Sequence, residues 1–103
     1  MDLPPLPYRP DNNSWSANVL EAFNTISSSI QRAIEVTYLQ RPDPLQIQIR
    51  RDIISNDIAP LFEALAASSE EEGIPDAWVI GAGGVLVNVL DALDKCKEKS
   101  TGR

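Results

Sequence analysis

There is no histidine in this chain and only one cysteine, Cys96. A disulfide within the chain needs two thiols, a Cys/His zinc set needs three or four ligands, and Ser-His-Asp or Cys-His catalysis needs an imidazole. All of these are excluded. Near neutrality only carboxylates remain to act as general acid or base, which points away from an enzyme, and the sequence assigns no catalytic, cofactor-binding or metal-ligating residue. Cys96 lies between Lys95 and Lys97, but it reads as a small apolar filler on an inner helix face rather than an activated thiol.

Positive charge is also scarce. Nine Lys and Arg stand against fifteen Asp and Glu, for a net charge of −6. Affinity for phosphate backbones comes from clustered Lys and Arg, so direct nucleic-acid binding is not expected. From Asp52 to Asp94 there is no basic residue at all. That half should carry an acidic surface, with Glu63, Glu70, Glu71, Glu72 and Asp76 as its candidate residues. Such a surface solubilises, or it occupies a basic groove as a small acidic inhibitor or nucleic-acid mimic would, with binding that weakens steeply in salt.

No basic region followed by an apolar run begins the chain, so no secretory signal is read. The longest apolar stretch, Ala77 to Leu93, is interrupted by Asn88 and Asp91 and is expected to fall short of the roughly twenty residues a membrane span needs. The expectation is an intracellular protein, cytoplasmic or nuclear, with no membrane partner.

What the sequence does have is that apolar stretch, AWVIGAGGVLVNVLDAL. Trp78 to Gly84 resembles a strand running into the glycine turn of a dinucleotide-binding fold. The third glycine of that pattern would fall at Leu86, however, and too little chain follows for a second strand. The other reading is one long helix starting near Pro75 and Asp76, where proline suits the first helical position and a carboxylate meets the positive end of the dipole. Trp78, Ala82, Val85, Val89 and Cys96 then fall on one side. Interior glycines cost about 1 kcal/mol each relative to alanine, so a close neighbour should compensate. Trp78, Gly81, Ala82, Gly84 and Val85 are therefore the candidate helix–helix or dimer contact, within the monomer or between copies.

Four of the eight prolines stand in the first ten residues, which predicts an extended polyproline-II arm over residues 1–13. Pro4-Pro5-Leu6-Pro7-Tyr8-Arg9 matches P-x-x-P-x-R and so resembles the peptides that dock into SH3 domains, with Pro4 and Pro7 in aromatic grooves and Arg9 in an acidic pocket. The inner Pro4 to Pro7 resembles a WW-domain ligand. The other reading is an arm that packs on its own helices or stays loose.

After the arm, Val19, Phe23, Ile26, Ile30, Ala33 and Thr37 alternate four- and three-residue steps, predicting a helix from about Ser14 to Leu39 capped by Asn13 or Ser14. Ser27 to Ser29 makes one side of it small and polar. Asp43, Pro44 and Gln46 form a capping-box-like start to a second helix. Leu45 to Ile49 alternates like a strand, although Ile47, Ile54, Ile58, Leu61 and Leu65 keep a helical period beyond it. Pro60 should break that helix at Ser55 to Asp57, with Asp57 capping a third helix to about Ser69, and Glu70 to Glu72 should fray into the loop closed by Gly73.

The chain of 103 residues, 43% hydrophobic, is long enough for one domain that folds without staples. The fold expected is all-α: a compact bundle of about four helices over 14–98, the proline-rich arm before it and a polar tail at 99–103. The leading functional reading is a non-catalytic protein–protein interaction or oligomerisation module using apolar helix faces. Its expected partner is a protein, in the first place a second copy of the chain forming a homodimer, and an SH3- or WW-type reader of the arm can coexist with that.

Overall fold

The computed structural model describes residues 3–6, 15–39, 41 and 43–101. In them every regular element is helical and no strand is present. The chain runs α1 (Ala17–Thr37), α2 (Pro44–Ile53), a π-helical turn (Ile54–Ile58), α3 (Ala59–Ala67), the single turn α4 (Ser69–Glu72) and α5 (Asp76–Thr101). This is the expected all-α bundle. Its four main helices pack lengthwise, giving principal extents of 54 × 21 × 21 Å.

Helix α1 starts later than the sequence suggests. The cap is Ser16, whose extended backbone lets its hydroxyl accept from the Val19 amide at 3.3 Å, so Asn13 and Ser14 are displaced from that role. Val19, Ala22, Ile26, Ile30 and Ala33 form its buried row. At the other end Tyr38 is the C-cap, so the helix ends short of Leu39.

Asp43 caps α2 as expected, accepting from the Leu45 amide at 3.0 Å, with Pro44 in the first helical position. The apparent strand alternation dissolves once the backbone coils. Ile47 is fully buried while Leu45 and Ile49, four residues apart and so on one helical flank, face outward.

The break expected at Ser55 to Asp57 does not occur. Instead Ile54–Ile58 widen into a π turn, in which the Ala59 amide reaches the Ile54 carbonyl, and the rod continues into α3. An α-helical proline clashes with the carbonyl four residues back and lacks its own donor. A local five-residue turn re-aims those groups, which lets Pro60 sit in the first turn of α3. Asp57 therefore caps nothing; α3 has no side-chain cap hydrogen bond.

Glu70 to Glu72 likewise do not fray. α3 ends at Ala67, and these acids are taken up by the separate single turn Ser69–Glu72 that follows it. Gly73, at φ 78°, closes that turn. Its amide donates to the Glu70 carbonyl and the Ile74 amide to the Ser69 carbonyl at 2.8 Å, a paired ending that needs a left-handed residue at the glycine.

α5 is helical through Gly81, Gly83 and Gly84. That removes the strand-and-phosphate-turn reading, because the glycine amides are committed to the helix ladder. Trp78, Ala82, Leu86, Val89, Leu93 and Cys96 form its inner row and join the buried rows of α1 and α2 in one core. The Phe23 and Trp78 rings lie 6.2 Å apart at 41°. The helix also runs on past Lys99 to Thr101, so the expected polar tail begins inside it.

Candidate interaction surfaces

The described part of the N-terminal arm is laid on α5. Leu3 is buried in the core. The Trp78 indole N–H donates to the Pro4 carbonyl oxygen at 2.9 Å, and a methyl group placed on Gly81 would meet Pro4 Cγ at 3.8 Å. Pro4 is thus engaged within the chain. Pro7 and Arg9, the other two residues of the proline motif, lie outside the described residues.

The candidate contact on α5 separates into two sides. Trp78 and Ala82 point into the core, with Ala82 at 0% exposure, and Val85 is half-buried against it. These three make helix–helix contacts within the monomer. Gly81 is exposed beside Pro4, and Gly84 is exposed with nothing within 4 Å of an added methyl.

On the Gly84 side stand two residues that the periodicity of the inner row did not single out. Ile80 is 76% exposed and Val87 66% exposed. With Ala77, Gly81 and Asn88, also exposed, they form an outer flank from which charge is absent until Asp91. The signal that finds them is the opposite phase of the same helix: residues about 200° from Trp78 on a 3.6-residue wheel.

By length and composition the 23 residues Asp76–Glu98 suffice to cross a membrane, contrary to the expectation that Asn88 and Asp91 cut the stretch short. The helix is longer than the apolar run because it continues through Lys95 to Glu98. Of its most apolar window 28% is buried in the bundle. The remainder is the half-exposed border and open flank just described.

The candidate acids fall on α3, on α4 and at the start of α5. Glu63 on α3, Glu70 and Glu71 on α4 and Asp76 at the start of α5 are exposed. Glu72 is half-buried and accepts from the Ser16 hydroxyl at 2.9 Å. At the far end of α5 bases join the acids, Lys95, Lys97 and Lys99 standing in the sequence beside Asp91, Asp94 and Glu98. Lys95 pairs with Asp91 at 3.1 Å, Lys97 donates to the Gln48 side-chain oxygen on α2, and Arg51 of α2 meets Asp94 at 2.6 Å. Among the described residues, no three Cys, Asp or Glu side chains are placed to hold a metal ion together. Cys96 is a buried free thiol.

No protein-family model matches the chain, and no curated protein or solved structure matches it either.

Proposed function

We propose that this chain is a non-catalytic interaction module that pairs with a second copy of itself through the outer flank of α5. The observation that carries this reading is the open run Ile80, Gly84, Val87. Two large apolar side chains stand about two helical turns apart with a bare backbone surface between them. Exposed apolar residues scattered singly need no explanation, whereas a continuous flank on one helix does.

Charge argues for the orientation. α5 is preceded and begun by acids alone, Glu70, Glu71, Glu72 and Asp76, whereas near its end Lys95, Lys97 and Lys99 balance Asp91, Asp94 and Glu98. Two copies crossing antiparallel near Gly84 set Ile80 of one against Val87 of the other, and the lysine end of each beside the acidic end of its partner. The helix dipoles also oppose, which is favourable. A parallel pair would set the two acidic ends side by side. The two-fold arrangement makes the same patch serve both copies, as a closed dimer requires.

A bilayer is a poorer occupant, because Asn88 and Asp91 share this flank and a carboxylate in hydrocarbon is costly. The test is sedimentation equilibrium across a wide concentration range for the native chain, Ile80→Glu and Val87→Glu, with vesicle co-sedimentation alongside. A concentration-dependent dimer that both variants reduce to monomer, with unchanged far-UV spectra, is the expected outcome. A native chain that stays monomeric at millimolar concentration overturns the proposal, and capture of monomer by vesicles would reassign the flank to lipid.

A further inference from the structure

Away from α5, the small polar side of α1 faces a cleft. Asn24, Thr25, Ser28, Ser29 and Arg32 recur at four-residue steps along α1, and Arg50 and Ile53 close the cleft from α2, leaving a volume of about 370 Å³. No carboxylate lines it, although acids outnumber bases in the chain by fifteen to nine. Two arginines and three hydroxyl-bearing residues line it instead.

One of those groups is left unsatisfied. The Nε of Arg50 is shielded from solvent and has no hydrogen-bond partner, the sole such side-chain atom among the described residues. Arg50 as a whole is half-buried. Shielded polar atoms in folded proteins are nearly always paired, and a charged one left alone is expensive. Arg51, the next residue, shows the alternative: its Nε meets Asp94. Arg50 has no acid in the corresponding place, and Arg32, exposed across the cleft, has no ion pair among the described residues either.

We propose that this cleft binds a phosphate-type oxyanion, free or as a small monoester, held between Arg32 and Arg50 with Thr25, Ser28 and Ser29 donating from α1. The chemistry selects this class. A guanidinium presents its donors in a planar fork matched to phosphate and carboxylate oxygens, and hydroxyls satisfy the oxygens the fork leaves over. A tetrahedral anion with several acceptor oxygens uses donors arriving from two helices at once; a planar carboxylate engages one fork and leaves the second side open. The Arg50 Nε–H is shielded from solvent while the cleft is empty, so it gains the acceptor it lacks when the half-buried guanidinium turns toward the ligand. None of these residues lies on α5, so the inference stands or falls apart from the self-association reading.

The experiment is a titration of the native chain with inorganic phosphate, phenyl phosphate and acetate at constant ionic strength, followed by calorimetry and by the ¹H–¹⁵N resonance of the Arg50 Nε–H. Saturable binding of phosphate, with a dissociation constant on the order of 1 mM, and a matching movement of the Nε–H resonance is expected. Acetate should bind at least tenfold more weakly. Comparing inorganic phosphate with phenyl phosphate tells whether the free ion or a monoester is the better fit. Arg50→Lys keeps the charge but removes the fork and should weaken phosphate binding tenfold or more. Arg32→Gln should do the same from the other helix, and a far-UV spectrum and melting profile confirm that each variant is folded. Equal response to acetate and phosphate, or phosphate binding unchanged in Arg50→Lys, would overturn the proposal.

Discussion

The indole of Trp78 and the carbonyl of Pro4, 74 positions apart in sequence, are joined by a 2.9 Å hydrogen bond. This bond ties the start of the chain to the first turn of its longest helix and gives a partly buried indole N–H the acceptor it needs. It also spends Pro4 within the fold. Trp78→Phe keeps an aromatic ring in the core but leaves that carbonyl without its donor, and should cost about 1 kcal/mol. Urea denaturation is the measurement. A variant as stable as the native chain would mean that the arm contributes nothing at this point.

Gly84 should be improvable. A methyl group there meets nothing within 4 Å in the single chain, so on dilute monomer Gly84→Ala gains helix propensity without a clash and should stabilise the fold by roughly 0.5–1 kcal/mol. Gly83→Ala should follow the same trend, since the added carbon would sit 3.6 Å from the Phe62 ring, an ordinary contact. Thermal melts of both variants at monomer concentrations check this; a lowered midpoint there in either would show that those glycines serve a close neighbour within the chain.

The Arg51–Asp94 pair clips α2 to α5 at 2.6 Å, with the two side chains 37% and 48% exposed. At that exposure the attraction is largely screened. Asp94→Asn should cost about 1 kcal/mol or less, and the loss should shrink further in molar salt. Denaturation at low and high ionic strength gives the comparison, and a loss that persists undiminished in salt would contradict it.

Core and flank of α5 should respond unequally. Leu93 is fully buried, and Leu93→Ala should destabilise by about 2–5 kcal/mol through lost contacts and a residual cavity. Ile80, at 76% exposure, should tolerate Ile80→Ser within about 0.5 kcal/mol when measured on dilute monomer. A large loss for Ile80→Ser under those conditions would place that side chain inside the fold.

Local chemistry made much of this fold legible. Asp43 and Pro44 start a helix because one accepts an otherwise unpaired amide and the other has no amide to leave unpaired. The Val19, Ile26, Ile30, Ala33 row is buried because its spacing leaves it on one side of α1. Pro60 was misleading for a related reason: proline's clash is with one specific carbonyl, and a π turn removes it without ending the rod. Glu70 to Glu72 misled because α3 stops at Ala67 and a separate turn closed by Gly73 takes them up before the loop.

The candidate surfaces were less legible. Gly84 was legible as a gap, but Ile80 and Val87 were not, since a helix apolar on nearly every side offers no sequence signal for which side its neighbours will take. The serine face of α1 could be read as small and polar; that Arg50 would end opposite it, with a shielded Nε, depends on how α2 is rolled against α1.

The amino-acid sequence alone determined the helical class, the N-terminal cap of α2, the turn at Gly73 and the exclusion of imidazole and disulfide chemistry, because each follows from the bonding capacity of a few adjacent residues or from composition. Only the tertiary structure decided that Trp78 meets Pro4, that the outer flank of α5 stays open, and that two arginines share a cleft without a carboxylate. Those relationships join groups far apart in the chain, and their positions are set by how three apolar helix rows interlock around one core.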